Sequence, residues 1–213
     1  MADYTSIVEA GEAFIDLLRD EMVPEPIGDK ELISLASPYE PENNLLTVHL
    51  FHVEEEPFES FGKYMRESAN MDRQQPANFT LNYLLTAHSK APAHLKETDQ
   101  QRVIGRAIQI IRDTVFIPIK YYKGSLADTL TTRLALTLER PNYDQMSKIW
   151  GSNNQNPYKL SIVCKVRGVL VESRNVRRFT RVTQGNIGIE RVSVPGDPDY
   201  DEMKSIHETQ EKR

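Results

Sequence analysis

The spacing of apolar residues predicts an amphipathic helix near the start of the chain. Ser6 and Glu9 have the spacing of a capping box, in which a hydroxyl and a carboxylate bind backbone amides of the first turn. Pro24 and Pro26 end the helix, because proline lacks an amide proton and disfavours helix in the preceding residue. The apolar residues that recur at helical spacing and form one buried stripe are Ile7, Ala10, Phe14, Leu17 and Leu18.

Short apolar runs between turn residues predict a series of strands. The run at 79–88 is almost continuously apolar, which is typical of a strand covered on both faces. Residues 54–76 show little periodicity and are predicted to form a long loop that orders on contact with another molecule. In chain order, the predicted strands cover 32–36, 45–53, 79–88, 117–122, 129–138 and 158–171.

Two more helices are predicted further along the chain. Thr98 and Gln101 form a second capping box, and a broad apolar face follows over residues 103–111. A short helix is predicted over 142–150, capped by its first residue and stopped by Gly151.

These elements together predict an α/β (α+β) domain. Its mixed or antiparallel β-sheet is flanked by two main helices, and a C-terminal extended arm follows. We expect the domain to cover residues 1–171, a basic arm to cover 172–194 and a polar, disordered tail to cover 195–213.

Composition favours an ordinary globular protein of a reducing compartment. Hydrophobic residues make up 39% and charged residues 27% of the 213 residues, and both fractions are normal for soluble domains. No apolar run is long enough to span a bilayer, and the start lacks the layout of a secretory signal. Cys164 is the only cysteine, so no internal disulfide can form. We therefore expect a soluble, cytosolic protein.

No group of residues predicts catalysis, a cofactor site or a metal site. His49 and His52 stand three apart on a predicted strand, so we expect them on opposite faces. Cys164 lies in an apolar stretch without a neighbouring base, which is typical of a core residue. The chain contains no phosphate-binding glycine motif and no nucleophile motif. We therefore predict that the protein is not an enzyme.

Charge is distributed unevenly along the chain. The net charge is −5, but residues 165–191 contain seven basic and two acidic residues. Residues 192–213 contain six acidic and three basic residues, so the part before residue 165 carries −7. A basic segment on an acidic body predicts an arm that docks on an acidic surface, such as a neighbouring copy of the body.

The arm is also the strongest candidate for a binding site. Its arginines are interleaved with apolar residues, so an extended chain would place apolar side chains partly on one face and arginines on the other. Three interpretations stay open: a solvated strand, a nucleic-acid contact, and an arm that adds a strand to an exposed sheet edge of another protein. We favour the third. The candidate interface residues are Arg174, Arg177, Arg178, Phe179 and Arg181.

An ordered set of segments carries a family resemblance. The segments are 33–38, 81–89, 102–111, 136–138, 143–150 and 156–162. Together with the first helix, they resemble the cap or tail-terminator family of extracellular contractile injection systems, which includes the caps of the Photorhabdus virulence cassettes and the antifeeding prophage. The similarity covers roughly residues 3–171, in the same order.

The resemblance implies a structural protein. Such a cap forms a ring, typically a hexamer, on the last layer of inner tube protein and sheath protein, and it ends polymerisation and anchors the sheath. It would assemble in the bacterial cytoplasm and stay in the particle. The alternatives are a prophage head-tail connector or other tail protein, and a nucleic-acid-binding module that uses the arginine-rich arm.

Overall fold

The computed structural model describes residues 4–57, 64–68, 70–128, 133–151 and 158–178. The helices in these ranges are α1 (Ser6–Met22), α2 (Ala93–Asp113), α3 (Gly124–Asp128) and α4 (Tyr143–Gly151). The strands are β1 (Ile33–Leu35), β2 (Leu46–Glu56), β3 (Tyr64–Ser68), β4 (Met71–Gln74), β5 (Ala77–Ala87), β6 (Ala135–Leu138), β7 (Ser161–Val171) and β8 (Val176–Arg178).

Five strands form a mixed sheet, the main sheet, in the order β1-β2-β5-β7-β6. β1 and β2 run parallel, and every other neighbouring pair is antiparallel. The central strand β5 is buried from Thr80 to Ala87, as its continuous apolar run predicts. The predicted mixed sheet with two main helices is therefore confirmed.

Helices α1 and α2 pack on the same face of the main sheet and enclose the principal core. The rings of Phe14 in α1 and Tyr83 in β5 lie 5.7 Å apart at 52°, and both side chains are buried. Gly11 allows this close approach, because a Cβ atom there would lie 3.0 Å from the Tyr83 hydroxyl oxygen. Each fully buried side chain of this size contributes about 1.5–3 kcal/mol to folding.

Helix α4 covers part of the opposite face through Trp150. The indole packs against Leu84 and Val163, and its Nε1 donates a hydrogen bond of 3.1 Å to Ser161 Oγ. The predicted cap of this helix is confirmed. The Asn142 amide donates to Gln145 Oε1 and the Gln145 amide donates to Asn142 Oδ1, at 2.9 and 2.8 Å.

The two other predicted capping boxes are wrong. In α1 the residue that precedes the first turn is Thr5, whose side chain does not cap the helix, and the Glu9 carboxylate accepts hydrogen bonds from Ser125 Oγ at 2.7 Å and the Leu126 amide at 2.9 Å, at the start of α3. Helix α2 begins at Ala93, five residues before Thr98. The preceding Pro92 has no amide proton, so a helix can begin directly after it without leaving that donor unpaired.

Several strand predictions also change. The predicted loop 54–76 contains the end of β2 and the antiparallel pair β3–β4, while residues 58–63 and 69 lie outside the described ranges. The predicted strand 117–122 contains a 3₁₀ turn at Ile119–Tyr121 instead. Pro118 directly before that turn cannot donate to a ladder. Of the predicted strand 129–138, the described part forms β6 from Ala135 onward.

Candidate protein interface

A second, smaller sheet contains part of the predicted arm. Strands β3, β4 and β8 form this small sheet in the order β3-β4-β8, and both pairs are antiparallel. The Gln74 amide donates to the Asn175 carbonyl at 3.0 Å and extends the pairing to the residue before β8. The arm therefore begins by adding a strand to β4 of its own chain.

The two faces of the small sheet carry different side chains. Residues directly opposite in antiparallel strands share a face, and successive residues alternate. One face carries Tyr64, Arg66, Asp72, Gln74 and Arg177, and the other carries Met65, Met71, Arg73, Val176 and Arg178.

Among the described residues of this sheet none is buried: β3 and β8 are exposed and β4, the middle strand, is half-buried. Met65 is 53% exposed, Tyr64 is 40% exposed and Val176 is 36% exposed. A three-stranded sheet without a packed face gains little hydrophobic stabilisation of its own. The exposed apolar groups make it a surface suited to covering by another protein.

On each face of the small sheet, arginine side chains lie next to a carboxylate. Arg73 Nε and Nη2 donate to the two carboxylate oxygens of Glu67 at 3.1 and 2.6 Å, and these hydrogen bonds raise the pKa of Arg73. On the opposite face Asp72 lies between Arg66 and Arg177. Tyrosine, methionine and arginine are among the residue types enriched in protein interfaces.

The structure describes three of the five predicted interface residues. Arg177 and Arg178 are successive residues of β8, so they lie on opposite faces, and Val176 shares its face with Arg178. The expected separation of apolar residues from arginines is therefore wrong for this part of the arm. Arg174 lies just before β8. Phe179 and Arg181 lie outside the described residues, and the docking role of the five stays a prediction.

Sequence reasoning missed β3 and β4 as interface elements. Their residues do not alternate between apolar and polar, because no face is buried. The available signal was Asn70 between Ser68 and Met71, which pair directly. Asparagine is common in two-residue hairpin connections.

The structure shows the surroundings of Cys164, His49 and His52, the side chains considered above as candidates for chemistry. Burial raises the pKa of Cys164 to about 12. A bulge at Phe51 places His49 opposite Leu84 and His52 opposite Asn82, so both histidines lie on one face and the expectation of opposite faces is wrong.

In the described ranges, no group of three or more histidine, cysteine or acidic residues could hold a metal ion. None of the described helices has the length and apolarity that crossing a membrane requires.

The chain matches a known protein family over most of its length. The family described as the Pvc16 N-terminal domain matches residues 9–184. Among curated proteins none matches the chain.

Two structures solved by cryo-EM are similar in fold. One is the sheath/tube terminator of the extracellular contractile injection system PVC in its extended state. Its TM-score is 0.61 at 14% identity, over 96% of this chain and 71% of that chain. The other is the tube-terminating cap of the anti-feeding prophage, with a TM-score of 0.52 at 18% identity, over 95% of this chain and 69% of that chain. At these identities the similarity is one of fold.

Proposed function

The chain belongs to the family described as the Pvc16 N-terminal domain, and from this we propose that it is a structural cap that closes a contractile injection particle. The observation that carries the proposal is the fold. Two terminators of such particles match at least 95% of this chain, so the shared architecture extends well beyond one common motif. The cap acts through shape and contact, and no reaction is required.

The partners of the cap are its own copies, the inner tube protein and the sheath protein. We propose a ring, with six copies as the expected number, because a head-to-tail interface that closes on itself generates a ring. Such a ring ends polymerisation by matching the growing end on one side and offering no further site on the other. Assembly takes place in the bacterial cytoplasm, and the cap stays on the finished particle.

The small sheet is the proposed docking surface for one of these partners. Its exposed Met65, Tyr64 and Val176 lose water when covered, and this burial is the main favourable term in association. Arg174, Arg177 and Arg178 add charge-assisted hydrogen bonds to an acidic partner. In the same proposal Phe179 and Arg181 extend the contact along the arm.

The proposal is tested by measuring the length of particles that form with and without this protein. Particles are produced with and without this gene and imaged by cryo-EM, and the gene is returned on a plasmid as the control. We expect tubes of uncontrolled length and poorly anchored sheaths without the gene, with normal particles after complementation. Normal length and normal ends in its absence would overturn the proposal.

The purified protein provides a second test. Negative-stain imaging is expected to show rings, and added tube protein should recruit them to tube ends. Salt-sensitive DNA binding by a monomer would instead support a nucleic-acid-binding module. Binding to a portal or capsid protein would support a head-tail connector.

A further inference from the structure

A cavity of about 670 Å³ lies at the other end of the main sheet from the small sheet. Its walls come from the first turns of α2, the segment before β2, the residues just after β5 and the residues just before β7. Strand β7 separates the two regions, since it runs from Ser161 beside the cavity to Val171 near β8. At roughly 3.3 Å per residue its 11 residues span on the order of 35 Å. The cavity is therefore independent of the small sheet.

Three lysines line this cavity, and within the described ranges none of them forms an ion pair with a carboxylate. Lys159 Nζ donates to the Pro38 carbonyl at 2.7 Å, and Lys90 Nζ donates to Asn43 Oδ1 at 2.8 Å. Both acceptors are neutral groups, which fix the position of an ammonium ion and leave its charge in place. Lys96 forms no hydrogen bond or ion pair with any described residue.

Of the five other lysines in the described ranges, four form ion pairs with a carboxylate and Lys148 does not; the four are Lys30, Lys120, Lys123 and Lys165. Lys30 Nζ lies 2.6 Å from Asp20, and Lys165 Nζ lies 2.8 Å from Glu139. Two carboxylates, Glu42 and Glu97, also line the cavity, but neither forms an ion pair with a lysine among the described residues. Lys90 and Lys159 therefore each use one ammonium donor on a neutral acceptor and keep their other N–H donors for an anion from outside.

The positive groups act on one another inside the cavity. Burial, together with the charge of Lys96, lowers the pKa of Lys159. Burial and the charges of Lys159 and Lys96 lower the pKa of His88 to about 4, and the imidazole bonds to Thr47 Oγ1 at 2.9 Å. An anionic ligand would relieve this repulsion.

We infer that this lysine cavity binds a carboxylate-rich peptide segment of another protein. Pockets of several hundred Å³ are large enough to hold more than one small group, so the volume suits several residues better than one inorganic anion. Amide side chains in the walls supply donors and acceptors for a peptide backbone, and these are Asn44, Gln100 and Gln101. The ammonium groups supply charge-assisted hydrogen bonds to the carboxylates.

Titration of the full-length protein tests the inference without any other particle component. The probe is a blocked hexa-aspartate peptide at low ionic strength, measured by calorimetry, and blocked hexa-asparagine is the neutral control. We expect binding of hexa-aspartate that weakens as salt rises, and no binding of hexa-asparagine.

Substitutions of the cavity lysines test whether hexa-aspartate binds in the cavity. Lys96→Gln and Lys159→Gln are each expected to weaken hexa-aspartate binding by about fivefold to tenfold, as for loss of one charge-assisted hydrogen bond. The matched control is Lys148→Gln, an exposed lysine of α4 outside the cavity, which should leave the affinity unchanged. Circular dichroism verifies that each variant is folded.

The His88 ring gives a second readout by NMR. Bound hexa-aspartate is expected to raise the pKa of His88, because it adds negative charge next to Lys96 and Lys159. Inorganic phosphate is titrated in parallel. Binding of phosphate without binding of hexa-aspartate would overturn the inference in favour of a small-anion site. Absence of hexa-aspartate binding, or equal loss in all three variants, would also overturn it.

Discussion

Arg177 of β8 lies directly opposite Asp72 of β4, and the same aspartate lies opposite Arg66 of β3. One carboxylate thus stands in a cross-strand row with two guanidinium groups, and that face of the small sheet carries excess positive charge. The other face carries Met65 and Val176, both exposed. A partner that covers this sheet therefore meets Arg66 and Arg177 on one face, and Met65 and Val176 together with Arg178 on the other.

Met65→Glu should impair capping while leaving the fold intact. Met65 is 53% exposed, so we expect its replacement to change the free energy of unfolding by no more than about 0.5 kcal/mol. A buried interface would be strongly weakened by the unpaired charge. Co-sedimentation with tubes and thermal unfolding measure the two effects. The matched control is Val8→Glu in α1, at a position 59% exposed; equal capping by both variants would contradict the docking role of the small sheet.

Two glycine substitutions should change stability in opposite directions. Gly124 has a φ of 54°, and a Cβ atom there would lie 2.5 Å from Glu9 Oε1. Gly124→Ala is therefore expected to lower the free energy of unfolding by about 1–3 kcal/mol. Gly105→Ala in α2 meets nothing within 4 Å and should raise it by about 0.4–1 kcal/mol. Urea unfolding of both variants measures the contrast, and a Gly124→Ala protein as stable as the wild type would contradict the expected strain at this position.

Glu9 should make acid stability depend on one long-range contact. Burial acts to raise the pKa of Glu9, but hydrogen bonds from Ser125, Thr5 and the Leu126 amide outweigh it, and the pKa is lowered. The ionised carboxylate therefore stabilises the fold at pH values above its ordinary pKa of 4.5. This contribution disappears as the pH falls through the lower value of the folded state.

The corresponding variant is Glu9→Gln. At neutral pH we expect it to be less stable than the wild type by about 1 kcal/mol, as for loss of a helix cap. The difference should shrink as the pH falls below 4.5. Urea unfolding across this range measures it, and a difference independent of pH would show that the carboxylate charge contributes nothing.

Apolar substitutions of two polar residues on one face of β5 should change the free energy of unfolding in opposite directions. Thr80 Oγ1 donates to Glu56 Oε1 at 2.6 Å, so Thr80→Val is expected to lower the free energy of unfolding by about 1–2 kcal/mol. Asn82 is 5% exposed, and its Nδ2 has no hydrogen-bond partner in the described part of the chain. Asn82→Leu should therefore preserve or raise stability, by up to about 1 kcal/mol. Thermal unfolding distinguishes the two, and equal destabilisation would reveal a stabilising partner of Asn82.

Elements with a buried face could be predicted from the sequence. The apolar stripe of α1 and the continuous run of β5 both depend on core burial, and both predictions are confirmed. The cap at Asn142 is also confirmed, because it involves only residues of its own helix. The family resemblance of these segments is confirmed by the match to residues 9–184.

Features that depend on distant partners could not be predicted in this way. Glu9 has the spacing for a local cap, yet it binds Ser125, which is 116 residues away. The bulge at Phe51 reverses the side-chain alternation that separated His49 from His52. A strand without a buried face has no hydrophobic period, so β3 and β4 gave no signal. The arginines of the candidate site were found, but their distribution over two faces depends on pairing with β4.

Trp150, which packs from α4 onto the main sheet, is the only tryptophan of the chain. Its fluorescence therefore has one source, next to Leu84 and Val163. When it is excited at the red edge of the absorption band, where tyrosine does not absorb, its emission reports whether α4 stays packed on the main sheet, and no added dye is needed. The same native signal can be followed in real time while the protein is mixed with tubes, sheaths or peptides.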